Sequence, residues 1–160
     1  MPDFTFAHRK EGFDKHIEKS IRGYSNLMND VISFSRYFIE NDTNVIDIGC
    51  STGKMTKALI DYNKDHCTSA NYIGLEIAEG FRDDLKKRKK DIKKYYDRIE
   101  FEEKDATFYE YKNCSLITSI FTLQFIPKSK REDLLQKVYD GLNCGGAYIF
   151  AEKTLSLIHI

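Results

Sequence analysis

The stretch that most constrains this chain is residues 45–53, VIDIGCSTG, where a β-branched run breaks into a turn of small residues. β-Branched residues favour a strand, and a small-residue turn leading into a helix lets backbone N–H groups approach a nucleotide-like ligand. A dinucleotide fold would want Gly-x-Gly-x-x-Gly here. The three positions are Gly49, Ser51 and Lys54, so two of the three glycines are missing. Asp47 would also lie close to a pyrophosphate, and like charges at short range in a cleft are costly. Toward a cation the same carboxylate is favourable. S-adenosylmethionine (SAM) carries an ammonium and a sulfonium and no phosphate, so the loop reads as a SAM site. The motif alone leaves open an ordinary strand–turn–helix without a ligand.

Around the loop, hydrophobic periodicity predicts alternating elements. Ile17, Ile21, Leu27, Met28, Val31, Ile32, Phe34, Ser35 and Phe38 form an apolar stripe at helical spacing. Residues 1–40 are therefore expected to be helical with a break at residues 22–25, the second helix capped by Ser25 and ending near Asn41 and Asp42. Strands are expected at residues 45–48, 71–76, 99–103, 115–121 and 147–152. Helices are expected at residues 53–62, 79–94 and 129–142, the last capped by Asn143, Gly145 and Gly146. Alternating βα units with short apolar strands predict an α/β fold, a parallel sheet covered by helices on both faces.

Composition narrows the function classes. At 160 residues the chain is one domain by length. Lys+Arg and Asp+Glu balance at 25 each, which leaves no overall field to gather nucleic acid. Nothing approaches 18 apolar residues in a row, which argues against a membrane span, and the N-terminus is too polar for a signal peptide. Cys50, Cys67, Cys114 and Cys144 form no CxxC pair, which argues against zinc or disulfides and for a reducing cytoplasm. Cys50 reads as a small filler rather than a nucleophile, and His8, His16, His66 and His159 have no metal-ligand spacing. The basic run at residues 86–94, KKRKKDIKK, reads as the solvated face of a helix with Leu85, Ile92 and Tyr96 turned inward.

In a doubly wound sheet, ligands bind beyond the carboxyl ends of the strands. After the first strand come Asp47, Gly49, Cys50, Ser51 and Gly53. Glu76 ends the second, where an acid can accept both ribose hydroxyls of an adenosine. Asp105 follows the third, placed to receive an adenine amino group. Residues 121–125, FTLQF, follow the fourth and suit the methionine side or a second substrate.

These residues resemble the class I SAM-dependent methyltransferases, and within them the chain is most similar to the carboxy-S-adenosylmethionine synthases. The similarity runs from about Phe13 to Lys153, and its most specific stretches are residues 19–26 (KSIRGYSN), 47–53 (DIGCSTG) and 121–153. The resemblance implies a Rossmann-like sheet of strand order 3-2-1-4-5 with N-terminal helices, and SAM or carboxy-S-adenosylmethionine as the bound cofactor. It implies that Tyr24 contacts the cofactor from a lid, that Gly49, Cys50 and Ser51 line its methionine part, that Glu76 and Ile77 hold its ribose and that Asp105 and Ala106 hold its adenine, with Phe121 beside them. It implies prephenate as the second substrate and a product used in wobble-uridine modification of tRNA, by a reaction that needs no protein nucleophile. It leaves open a homodimer.

Three positions depart from the family pattern. Arg22 stands for a proline, Glu76 and Ile77 for Asp–Asn, and Ile120 for an asparagine facing the cofactor. The fold of the family also has two more strands after the fifth. The expected organisation is a lid over residues 1–40, an incomplete SAM-binding core over 41–154, and a non-native tail over 155–160, because LSLIHI resembles a translated transposon adapter used for sequencing libraries. Two other functions stay open: an ordinary SAM-dependent methyltransferase of unknown acceptor, and a SAM-fold module that binds without turnover. An NAD-dependent dehydrogenase is disfavoured by Asp47 and the missing glycines.

Overall fold

A computed structural model describes residues 12–153. The tail expected at 155–160 and the first eleven residues lie outside that span. Two helices, α1 (Phe13–Ser20) and α2 (Tyr24–Ser35), precede five strands: β1 (Asn44–Ile48), β2 (Asn71–Glu76), β3 (Ile99–Glu103), β4 (Cys114–Ile120) and β5 (Leu142–Ala151). Three helices connect them: α3 (Lys54–Asn63), α4 (Arg82–Ile92) and α5 (Lys128–Gly141). All four strand pairings are parallel and the order is β3-β2-β1-β4-β5, as expected. β2 and β3 have the expected bounds.

Alternation along β1 sorts its residues to two cores. Val45 belongs to the cluster that also holds Val31 of α2, Leu59 and Ile60 of α3, and Tyr72 and Leu116. Ile46 and Ile48 belong to the opposite cluster, with Leu75, Ile117, and Leu134 and Val138 of α5. A strand side chain alternates with period two, so Asp47 falls on the same side as Val45, toward α3. That single step of register decides its surroundings.

Several expected boundaries move. Ser25 does not cap α2; it lies in the first turn, and Gly23 precedes the helix with φ +76°, the left-handed region that glycine enters without strain. α2 ends at Ser35 rather than near Asn41. There the chain turns, so that Ile39 can be buried, and the Ser35 hydroxyl donates to Ile32 O and accepts from Asn63 Nδ2. The helix expected over 79–94 is a 3-10 turn (Glu79–Phe81) followed by α4. Neither Asn143 nor the glycines cap α5. Leu142 is already extended and pairs with Cys114, and pairing resumes at Ala147 with Leu116, so residues 143–146 bulge from the strand. Gly145, at φ +84°, permits the bulge.

The basic run behaves as a solvated face. Leu85, Ile92 and Tyr96 are buried, while Lys89 and Lys93 both reach Glu100. Among the described residues no helix is long and apolar enough to cross a membrane.

Candidate functional site

The carboxyl ends of the strands open into a cavity of about 380 Å³ roofed by α1. Its floor is the turn after β1. Gly49 has φ +70° and Gly53 φ +71°, and Ser51, also left-handed, has φ +51°. The turn is fastened to the end of β2: Gly49 N and Cys50 N both donate to Leu75 O, at 2.8 and 3.0 Å. Ser51 N donates to Glu76 Oε2 at 2.8 Å, and Ala78 N donates to Glu76 Oε1 at 2.8 Å.

Glu76 is thus oriented from both sides and is only 8% exposed. Burial pushes its carboxyl above the usual range, while the amides of Ala78, Ser51 and Ile77 pull it back. An ionised carboxylate has about four lone-pair sites, so two remain for a ligand in the cavity that Glu76 lines. Asp105, also in the lining, starts a 3-10 turn (Ala106–Phe108), and its Oδ1 accepts from Thr107 N and Thr107 Oγ1, both at 2.8 Å. Its Oδ2 has no protein partner among the described residues.

The cavity brings together Gly49, Ser51, Glu76, Ile77, Asp105, Ala106 and Phe121. Asp47, Cys50, Gly53 and Tyr24 are not in its lining. The alternation of β1 buries Asp47 beneath the loop, where Thr56 Oγ1 donates to Oδ2 at 2.7 Å and Thr118 Oγ1 to Oδ1 at 2.9 Å. Burial raises its pKa, and those two hydroxyls act in the opposite direction. The cleft wall expected of Asp47 is therefore supplied by the backbone above it. The Cys50 side chain packs with Phe81 and Leu85, and burial, then the Asp47 and Glu76 carboxylates, push its thiol well up. A thiol that holds its proton is a filler and not a nucleophile. Gly53 immediately precedes α3, and a Cβ there would stand 2.7 Å from the Phe101 ring and 3.0 Å from Arg88 Cδ.

Tyr24 stands one layer back, its ring stacked on Phe121 with centroids 6.4 Å apart and planes at 29°. Burial and then the charges of Asp14, Asp47 and Glu18 push its hydroxyl to about 12. Phe121 itself is held at φ +57°, and its N–H donates to Ala151 O at 2.7 Å. A bulky residue in that region costs about 1–3 kcal/mol, and such strain clusters at ligand sites.

The resemblance implies a lid over residues 1–40 with Tyr24 as its contact, but the residues that form the roof are others. Phe13, His16, Ile17, Ser20 and Ile21 of α1 and its C-terminal edge face the cavity. The signal was there: Phe13, Ile17 and Ile21 recur every four residues, yet α1 has no fully buried residue. The helix is held to the loop by Thr52 Oγ1 donating to Asp14 Oδ1 at 2.9 Å and by a Lys54–Glu18 pair at 2.6 Å. Phe13 meets Phe81 edge to face at 4.9 Å. Among the described residues no group of three or more His, Cys, Asp or Glu could hold a metal ion.

Comparison with known proteins adds a family to this geometry. A methyltransferase domain model matches residues 45–146. The chain is 38% identical over 141 residues to the carboxy-S-adenosyl-L-methionine synthase of Staphylococcus epidermidis, covering 88% of this chain and 58% of that protein. It is 33% identical over 155 residues to the enzyme of the same name from Salmonella arizonae, covering 96% and 61%. The chain thus spans about three fifths of the length of these curated relatives. Among solved structures it is similar to a DhpI–SAM–HEP complex, with TM-score 0.69 and 14% identity over 96% of this chain and 64% of that one. It is also similar to a SAM-dependent methyltransferase from Geobacter sulfurreducens in complex with S-adenosyl-L-homocysteine, with TM-score 0.54 and 21% identity over 78% and 47%. At these identities the structures speak for the fold.

Proposed function

This chain belongs to the methyltransferase domain family, and on that premise we propose that it is a SAM-dependent transferase whose cavity takes an adenosine between Glu76 and Asp105. The observation that carries the reading is the buried Glu76 carboxylate at the end of β2, oriented by two amides and still able to accept two hydroxyls. The residues present fit the donor. Glu76 accepts the ribose hydroxyls, Asp105 Oδ2 accepts from the adenine amino group, and Ile77, Ala106 and Phe125 give the purine apolar walls. Gly49 and Ser51 line the methionine part. Asp47 and Cys50 act through the loop they support, Tyr24 acts through Phe121, and Gly53 starts the helix that closes the turn. When bound, SAM supplies a sulfonium-activated methyl group. The lid reading of residues 1–40 rests on α1, which excludes water from above.

The finer reading is carboxy-S-adenosylmethionine synthase chemistry, with prephenate as second substrate and a product that serves tRNA wobble-uridine modification in the cytoplasm. Its support is the name shared by the curated relatives above 30% identity and the buried, protonated Cys50, which suits a reaction without a protein nucleophile. Titration calorimetry with S-adenosylhomocysteine (SAH) tests the site. Glu76→Ala removes two charge-assisted hydrogen bonds and should weaken binding by about 2–4 kcal/mol, roughly 30- to 1,000-fold. Equal affinity in the mutant would refute the ribose assignment.

A further inference from the structure

Three basic side chains line the cavity, and their surroundings differ. Lys104 is paired with Glu102 at 2.6 Å and lies over the Tyr109 ring. His16 makes its contact with Ser20 Oγ, one turn along its own helix. Lys153 has no hydrogen bond, ion pair or ring contact among the described residues.

Lys153 is nevertheless well placed. Phe121 N donates to Ala151 O and Leu123 N donates to Glu152 Oε1, both at 2.7 Å, so the two residues before Lys153 are pinned to the loop after β4. Charge is also graded along the sheet. Glu76 and Asp105 stand past β2 and β3, whereas Lys153 follows β5. In the order β3-β2-β1-β4-β5, three strand spacings separate β2 from β5, or roughly 14 Å at about 4.8 Å each. Among the described residues neither acid pairs with the lysine, nor does its neighbour Glu152, whose Oε1 accepts from Leu123 N. Phe121, whose N–H donates to Ala151 O, adds an apolar ring to the cavity lining at that end.

We propose that Lys153 is a specificity-determining residue: its ammonium pairs with a carboxylate of the second substrate, a small organic acid with an apolar body. The inference rests on the SAM reading of the same cavity, in which the uncharged adenosine occupies the acidic end and leaves the β5 end to the partner molecule. The lysine is exposed at the surface, so its substitution leaves the core intact.

The test uses the 160-residue chain with Lys153→Gln, Lys153→Glu and Lys153→Arg. SAH is titrated first, and prephenate is then titrated into SAH-saturated protein. SAH affinity should stay within about twofold in every variant. Prephenate affinity should fall about tenfold or more in the Gln and Glu variants, for loss of one charge-assisted contact, and recover to within about threefold in Arg. Unchanged prephenate affinity in Lys153→Glu overturns the proposal. So does a parallel loss of SAH affinity, which assigns the lysine to the donor's own carboxylate. A chain that binds SAH but not prephenate removes the anion subsite and spares the SAM reading. A chain that binds neither refutes that reading and this one with it.

Discussion

Gly49→Ala probes the floor of the cavity with a single added carbon. Gly49 has φ +70°, where an L-residue pays about 1–2 kcal/mol. The new Cβ would also stand 2.4 Å from Thr122 Oγ1 and 2.5 Å from Thr122 Cγ2, so the threonine must move. In doing so it gives up the hydrogen bond from Oγ1 to Ile48 O at 3.1 Å, about 1 kcal/mol, within an overpacking cost of about 1–3 kcal/mol. The sum is about 2–5 kcal/mol, a large part of the 5–15 kcal/mol typical of a domain. Urea denaturation of Gly49→Ala, Thr122→Ala and the double variant separates the two contributions. Thr122→Ala removes both crowding atoms and leaves its Cβ 3.0 Å away. In that background Gly49→Ala should cost only the backbone share, about 1–2 kcal/mol, giving a coupling of about 1–3 kcal/mol. Equal costs in the two backgrounds would show that Thr122 is not the obstacle, and the close packing of the β1 and β4 ends would lose its energetic meaning.

Asp47 has a raised pKa in the fold because it is buried. Its ionisation therefore costs nothing below the unfolded value of about 3.9 and carries its full penalty above the folded value. Asp47→Asn should thus gain in stability relative to the parent as pH rises from about 4, and stepwise-pH denaturation that shows a flat or shrinking difference contradicts this. NADH should not displace SAH, because the amides of Gly49, Cys50 and Ser51 are already committed to Leu75 O and Glu76 and cannot cradle a pyrophosphate; competition at micromolar NADH would reverse that conclusion. Asp14→Ala with Glu18→Ala cuts the part-buried Thr52–Asp14 hydrogen bond, the long Arg88–Asp14 pair and the exposed Lys54–Glu18 pair. The ion pairs are worth about 0–1 kcal/mol each and the hydrogen bond about 1 kcal/mol, so melting should fall only modestly while SAH dissociates faster in stopped-flow. An unchanged release rate would remove α1 from the closure of the site.

The elements were legible where local chemistry and tertiary demand agree. β2 (NYIGLE) is a short, largely apolar run and β3 (IEFEE) sets Ile99 and Phe101 between glutamates at the strand period of two, and the bounds of both match expectation. Agreement failed where a distant partner overrides the local signal. Gly145 and Gly146 read as a helix cap, but pairing with Cys114 draws Leu142 into β5 and turns the glycines into a bulge. The helical pattern past Ser35 is broken by the need to bury Ile39. At the site, the topology rule brought Gly49, Ser51, Glu76, Asp105 and Phe121 to one cavity, because every strand ends on the same side. Asp47 was placed in the cleft by its closeness in sequence to the loop, while the two-residue repeat of β1 turns it toward Thr56. A lid over residues 1–40 was implied by the resemblance, but which of its residues face the cavity was not legible, since nothing local in α1 says which surface its Phe13–Ile17–Ile21 stripe will cover.

The hydroxyl that Thr118 gives to Asp47 joins residues 71 positions apart, whereas Ser51 and Glu76, which fasten the loop, are 25 apart. Loop-closure entropy grows with the logarithm of separation, a difference of about 0.9 kcal/mol against the longer link. Assembly of β1, α3 and β2 therefore has the easier route, and β4 docks onto a half already built. Until it does, the Asp47 carboxylate has one hydroxyl partner and one side open to water. The central strand pair, the best buried part of the finished sheet, is on this account the slow step in making it.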